Sequence, residues 1–195
     1  MQFTDVSGLA GIAVAMAALA ARLPGIATLA PLRRLPFLLF VAAASLLPLD
    51  GLSAAAYVRG VSGDLSIASV LLLSSFVATS LLRSPPSEAA ARLSRLTLQA
   101  TLALAALLLY PLALGIGRFD PYRLGYGDPG FVGAVLLLAL AFCWRRFYLP
   151  ALCLALSVLA WAVGWYESGN LWDYLIDPLV AVYALLAIAL RLRRS

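Results

Sequence analysis

Apolar runs of about 15 to 20 residues alternate along the chain with short polar segments, and the polar segments alternate in sign. The runs cover 6–23, 35–49, 65–83, 96–116, 129–144, 149–166 and 171–190. At ~1.5 Å rise per residue, about 20 residues cross a hydrocarbon core, so each run predicts a membrane-crossing helix. The runs at 35–49 and 129–144 are short for that task. They predict little tilt, local thinning of the bilayer or extension into its interface. Arg145-Arg146 separates the fifth run from the sixth. Two adjacent arginines inside a bilayer would be costly, so a turn is required there.

The charges orient the runs. Arg22, Arg33 and Arg34, then Arg83, Arg92 and Arg95, then Arg145 and Arg146, then Arg191, Arg193 and Arg194 occupy every second connection. Asp5, Asp50, Asp64, Asp120, Asp128, Glu167 and Asp173 occupy the others. Arginine gathers on the cytoplasmic side of helical membrane proteins. The prediction is therefore an all-α, polytopic helical membrane bundle of about seven transmembrane helices, in a bacterial inner membrane. Its N-terminus lies outside, in the periplasm, and its C-terminus in the cytoplasm. Residues 1–195 form one transmembrane domain, with no internal repeat and no separate soluble domain. Only Arg59, Arg118 and Arg123 face outward.

Composition agrees with that solvent. Of 195 residues, 64% are hydrophobic and 12% charged, with mean hydropathy +0.98; soluble domains carry about a quarter charged residues. The net charge of +5 sits in the cytoplasmic connections, so it predicts no nucleic-acid partner. Every basic residue is arginine, as in GC-rich bacterial genes. The lack of lysine excludes a Schiff base. The lack of histidine excludes His-ligated haem, His-bearing zinc sites, and Ser-His or Cys-His catalysis. Cys143 and Cys153 lie in apolar runs and read as small buried hydrophobes. No metal and no cofactor is predicted. The first run follows no basic segment, so it is expected to persist as a helix.

Local signals predict ordinary bundle packing. Ser7, Gly11 and Ala15 give the first helix a close-approach face. Ser66, Ser69, Ser75 and Thr79 are expected to bond back to carbonyls one turn earlier. Pro111 predicts a kink after Tyr110. Ser87 can cap a helix starting at Glu88.

The acids divide into two groups. Asp5, Asp64 and Asp128 stand at the starts of outward-starting helices, and Asn170 with Asp173 resembles a capping box, so these read as caps. Asp50, Asp120, Glu167 and Asp177 lack that explanation. Together with Asp173 and the outward arginines Arg59, Arg118 and Arg123, they predict an ion-paired cluster at the outer mouth. Asp177 is the leading candidate. Asp173 and Asp177 share a helix face, and Pro178 would free the Tyr174 carbonyl nearby. The preferred form is a continuous, kinked seventh helix. The rival makes Asp177 a cap and Pro178 the first residue of a shorter helix, with 171–176 along the interface. The outer loops also carry Tyr57, Tyr122, Tyr126, Trp165, Tyr166, Trp172 and Tyr174, an interfacial belt. Of these, Tyr122, Tyr126, Trp165 and Trp172 are the candidate lipid or partner contacts.

Gly125-Tyr126-Gly127-Asp128 resembles the G-x-G-D signature of intramembrane aspartyl proteases, prepilin peptidases among them. That resemblance implies two aspartates activating a water. It covers four residues. The prepilin-type enzymes work at the cytoplasmic face, charge sorting puts Asp128 outside, and Asp128-Pro129 also reads as a plain cap.

The expected function is a non-catalytic integral subunit or partner-binding component of a membrane complex, using its periplasmic-side loops. Its partners would be the bilayer and a membrane protein or a second copy of the chain. One alternative is a transporter or lipid-handling protein built on the outer Asp/Glu/Arg site. A second is a carboxylate-only membrane enzyme at the periplasmic face, though the balance leans away from an enzyme. A transporter needs polar groups across both halves of the bilayer, and the inner half offers little beyond Gln99, Cys143, Cys153 and hydroxyls.

Overall fold

The computed structural model describes residues 3–49, 51–82 and 88–193, and these are helical almost throughout. The helices are α1 (Phe3–Ala20), α2 (Pro24–Ala27), α3 (Pro31–Leu46), α4 (Ala54–Ser62) and α5 (Ile67–Leu81). They continue with α6 (Glu88–Ala113), α7 (Pro129–Trp144), α8 (Tyr148–Ala162), α9 (Leu171–Leu175) and α10 (Pro178–Leu192). Two-residue strands, Pro48–Leu49 and Leu52–Ser53, pair antiparallel, with Pro48 opposite Ser53. A 3-10 turn spans Pro121–Gly125. The all-α class is as expected. Among the described residues, Phe3–Ala20 and Ala91–Ala113 are long and apolar enough to cross a membrane, while Ile67–Leu81, Pro129–Trp144, Tyr148–Ala162 and Pro178–Leu192 are shorter apolar helices.

Contacts group the chain into two compact units. The first comprises Met1–Leu65 and Val70–Pro86; the second comprises Ser66–Ser69 and Ser87–Ser195. In the first, α1 packs on α3 and α4. Leu9, Ile12, Ala55 and Leu65 form one buried cluster there, and Ala17, Ala20, Ala21 and Leu38 another. The predicted small-residue face on α1 is used at Gly11, where a Cβ would lie 3.3 Å from Val70. The closest approach is one residue round, at Gly8, where a Cβ would sit 2.1 Å from Asp64 Oδ1. Residues 54–62 were expected as loop. They form α4 because Ser53 Oγ accepts the Ala56 amide at 3.1 Å, which starts a helix.

Arg34 is buried in this unit, 8% exposed, and among the described residues no carboxylate pairs with it. Its guanidinium donates to the Ala21 carbonyl (2.6 Å) just past α1 and to the Ser80 carbonyl (2.9 Å) in the last turn of α5. Helix C-termini carry roughly half a negative charge each, so two such ends offset one cation. The orienting role given to Arg34 by its sequence position is thus joined by a structural one.

In the second unit α7 packs on α8, and α6 on α8 and α10. The core gathers Val135, Ala139, Leu154, Val158, Leu171 and Tyr174. Pro111 lies inside α6. The seventh run is not one continuous helix, which corrects the preferred reading of 171–190. Ile176 (φ −151°, ψ 135°) and Asp177 (φ −117°, ψ 165°) are extended, and α10 starts with Pro178 at its first position. A residue before proline avoids the α region, and a proline ring fits a helix's first turn better than its interior. The expected cap at Ser87 lies outside the described residues.

Candidate functional site

The acids between and at the ends of the helices are best read from the elements that hold them. Asp177 caps α10: its Oδ1 accepts the Val180 amide at 2.9 Å. Its Oδ2 accepts from the Ser66 amide (2.9 Å), the Ser66 hydroxyl (2.8 Å) and the Ser69 hydroxyl. Ser66 in turn starts α5, its Oγ accepting the Ser69 amide at 3.2 Å. One carboxylate, 5% exposed, therefore closes the N-termini of two helices, where positive poles favour an anion. Oδ2 thus takes three donors and Oδ1 one, so both oxygens of the carboxylate are engaged. Ser66 and Ser69 were expected to bond back within their own helix. Ser75 and Thr79 do so, to Leu72, Ser75 and Phe76 carbonyls, but the first two hydroxyls go to Asp177. The Tyr174 carbonyl, freed by Pro178, is taken by Ser157 Oγ at 2.9 Å.

Four residues upstream, Asp173 accepts the Tyr122 hydroxyl (3.1 Å to each oxygen) and the Ser168 hydroxyl (2.5 Å). Burial, and then the Asp173 charge beside it, push the Tyr122 phenol far above its ordinary range. Asn170 caps α9 through the Trp172 amide (2.9 Å) and donates to the Tyr122 carbonyl (2.9 Å). It is fully buried, and Gly125 leaves it room: a Cβ there would lie 1.7 Å from Asn170 Oδ1. Trp172 Nε1 donates to the Pro121 carbonyl at 2.9 Å, and its ring lies 4.6 Å from Phe131. Tyr174 is enclosed, stacked on Tyr166, its hydroxyl shared between the Ser168 and Tyr166 carbonyls. Segments near 120 and near 170 are thus latched together by side chains reaching backbone.

The remaining candidates are placed as follows. Asp120 caps the 3-10 turn through the Tyr122 amide at 3.0 Å. Asp128 caps α7 through the Phe131 amide at 2.8 Å, so the G-x-G-D aspartate starts a helix. Arg118, Arg123 and Glu167 are exposed. Tyr126 and Trp165 are exposed as well, whereas Tyr122 and Trp172 face the latch. Asp50 lies outside the described residues. Arg59 pairs with Asp64 (2.6 Å) and Asp5 (3.1 Å), two acids read from sequence as caps. Asp64 yields the cap of α5 to Ser66 because Arg59 holds both its oxygens. The structure thus brings Asp173 to Tyr122 and Asp177 to Ser66 and Ser69, with hydroxyls and amides rather than arginines as partners. Sequence reasoning missed Ser157 and Ser168, and read Gly125 only as part of the G-x-G-D stretch. Ser157 is a small residue inside an apolar helix whose partner is 17 positions on, Ser168 reaches an acid five positions on, and nothing at Gly125 names Asn170.

Among the described residues no group of three or more acids or cysteines is arranged to hold a metal ion. No protein-family model, curated protein or solved structure matches the chain.

Proposed function

We propose that the chain is a multi-pass protein of the bacterial inner membrane, with its N-terminus outside. It would serve there as a non-catalytic subunit that presents latched periplasmic loops to a membrane-protein partner. The bilayer part is supported by the helix surfaces. Leu104 and Leu107 on α6, Leu137 and Leu140 on α7, and Leu186 on α10 are more than half exposed, a surface suited to lipid tails. Sign alternation between connections supports about seven crossings and the orientation.

The observation that carries the subunit reading is the engagement of Asp177, Asp173, Asp5 and Asp64 by groups of the protein itself. A proton-coupled or cation-binding site needs a carboxylate with acceptors to spare, and acid–base catalysis needs one open to water. Asp177, 5% exposed, takes four donors from the protein's own hydroxyls and amides, Asp173 is held by the Tyr122 and Ser168 hydroxyls, and Asp5 and Asp64 face Arg59. That weighs against a transporter or a carboxylate enzyme built on these residues. What the loops leave outward is Tyr126, Trp165, Arg118 and Arg123, residue types that favour protein interfaces. The test is purification of the tagged protein in mild detergent followed by native mass spectrometry. A stoichiometric protein partner, lost on Tyr126→Ala/Trp165→Ala, is the expected result. A lone chain retaining a substrate-like small molecule would overturn the reading.

A further inference from the structure

The turn between α7 and α8 concentrates positive charge and aromatic surface that the hairpin itself leaves unmatched. Arg145 and Arg146 are exposed, flanked by Trp144 (89% exposed) and Tyr148 (59%). Arg145 ends α7, its amide bonded to the Ala141 carbonyl, and its charge answers that helix's negative pole. Arg146 has no such pole to answer. It stands in the left-handed region (φ 59°), beside the positive end of α8. No acid occurs between Asp128 and Glu167, at the opposite ends of the two helices. Two arginines therefore share a turn without any carboxylate in the hairpin. Tryptophan and tyrosine settle at headgroup depth, and the arginine fork matches a pair of phosphate oxygens.

We propose that this turn binds the phosphodiester headgroup of an anionic phospholipid of the inner leaflet. Arg145 and Arg146 hold the phosphate oxygens, and Trp144 and Tyr148 lie along the glycerol–acyl boundary. The inference rests on the membrane reading above, which puts the turn at the cytoplasmic surface.

The experiment compares phosphatidylglycerol with phosphatidylcholine binding by native mass spectrometry in a zwitterionic detergent. Each surface arginine contributes about fivefold in affinity for an anionic headgroup, so the pair contributes roughly 25-fold. Arg145→Gln/Arg146→Gly should lose about that much phosphatidylglycerol affinity and keep its phosphatidylcholine binding. Glycine relaxes the left-handed position, so the melting temperature should hold or rise, which separates lost binding from lost fold. Arg118→Gln/Arg123→Gln removes the same charge elsewhere and should leave phosphatidylglycerol affinity as it is. Unchanged phosphatidylglycerol binding in the turn variant, or an equal loss in the control, would overturn the proposal. So would competition by inorganic phosphate at millimolar concentration, which would assign the arginines to a soluble anion. Vesicle flotation separates the two levels. A chain that floats with phosphatidylcholine vesicles but ignores the turn variant defeats only this inference, whereas one that never floats defeats the membrane reading.

Discussion

Asp177 and Arg34 are both buried charges, and each is balanced by helix ends, with two serine hydroxyls added at Asp177, rather than by an opposite charge. Asp177 sits at two helix N-termini and Arg34 at two helix C-termini. Asp177→Asn would turn an amide NH2 toward donors or leave one of them unmet. Hydrogen bonds to a charged group contribute about 1.5–3 kcal/mol each, so a loss on the order of 3 kcal/mol is expected. Asp5→Asn should cost under about 1 kcal/mol, because that side chain is a third exposed and Arg59 keeps Asp64. Thermal unfolding in detergent compares them, and equal shifts would remove the reason for singling out Asp177. Arg34→Lys gives up a planar fork that reaches two carbonyls at once, and should cost about 2 kcal/mol. The exposed neighbour Arg33→Lys should stay within about 0.5 kcal/mol. If both lysine variants melt together, the clamp on α1 and α5 contributes nothing.

At the scale of elements, the break between α9 and α10 decides how the last run is built. A proline inside a helix costs about 3 kcal/mol relative to alanine, whereas at the first position it costs almost nothing. Pro178→Ala should therefore leave the melting temperature nearly unchanged, and a rise of several degrees would mean that α9 and α10 are one strained helix. The apolar runs were legible because each depends on residues adjacent in sequence. The break was legible only as an alternative, since Asp177-Pro178 fits a kink or a start until Ser66, 111 positions away, supplies its donors. The latch between Tyr122 and Asp173 was hidden for the same reason: both residue types were noticed, but not their pairing. That pairing carries a pH signature. Burial, and then the Asp173 charge, hold the folded-state phenol above its ordinary value of 10.0, so the unfolded chain releases the proton first. Stability from this group is complete below about pH 10 and declines as pH rises beyond it. Melting followed from pH 8 to 11 should fall more steeply in the native protein than in Tyr122→Phe. Parallel curves would mean that the phenol is not held by Asp173.

For the whole molecule, the number of crossings rests on charge alternation more than on helix length. The 15-residue helices α5, α8 and α10 span only about 22 Å, against a hydrocarbon core of about 30 Å. They cross only if flanking segments or local thinning make up the difference. The broken seventh run makes this sharper, because α10 alone must cross while α9 stays with the outer loops. Accessibility at fixed positions tests the count without relying on length. Single cysteines at Thr28→Cys, Arg123→Cys and Ser195→Cys would be read in a Cys143→Ala background, where buried Cys153 can remain. Three crossings separate the first site from the second, and three the second from the third. Arg123→Cys should label from outside in intact spheroplasts, and the other two only after permeabilisation. If all three keep that order but reversed, the chain crosses as proposed with the opposite orientation, and the arginine sorting has misled. If Arg123→Cys and Ser195→Cys label from the same side, one of α7, α8 and α10 does not cross. The short α10, which begins at the Asp177 cap instead of reaching back to Leu171, would be the first to reassign.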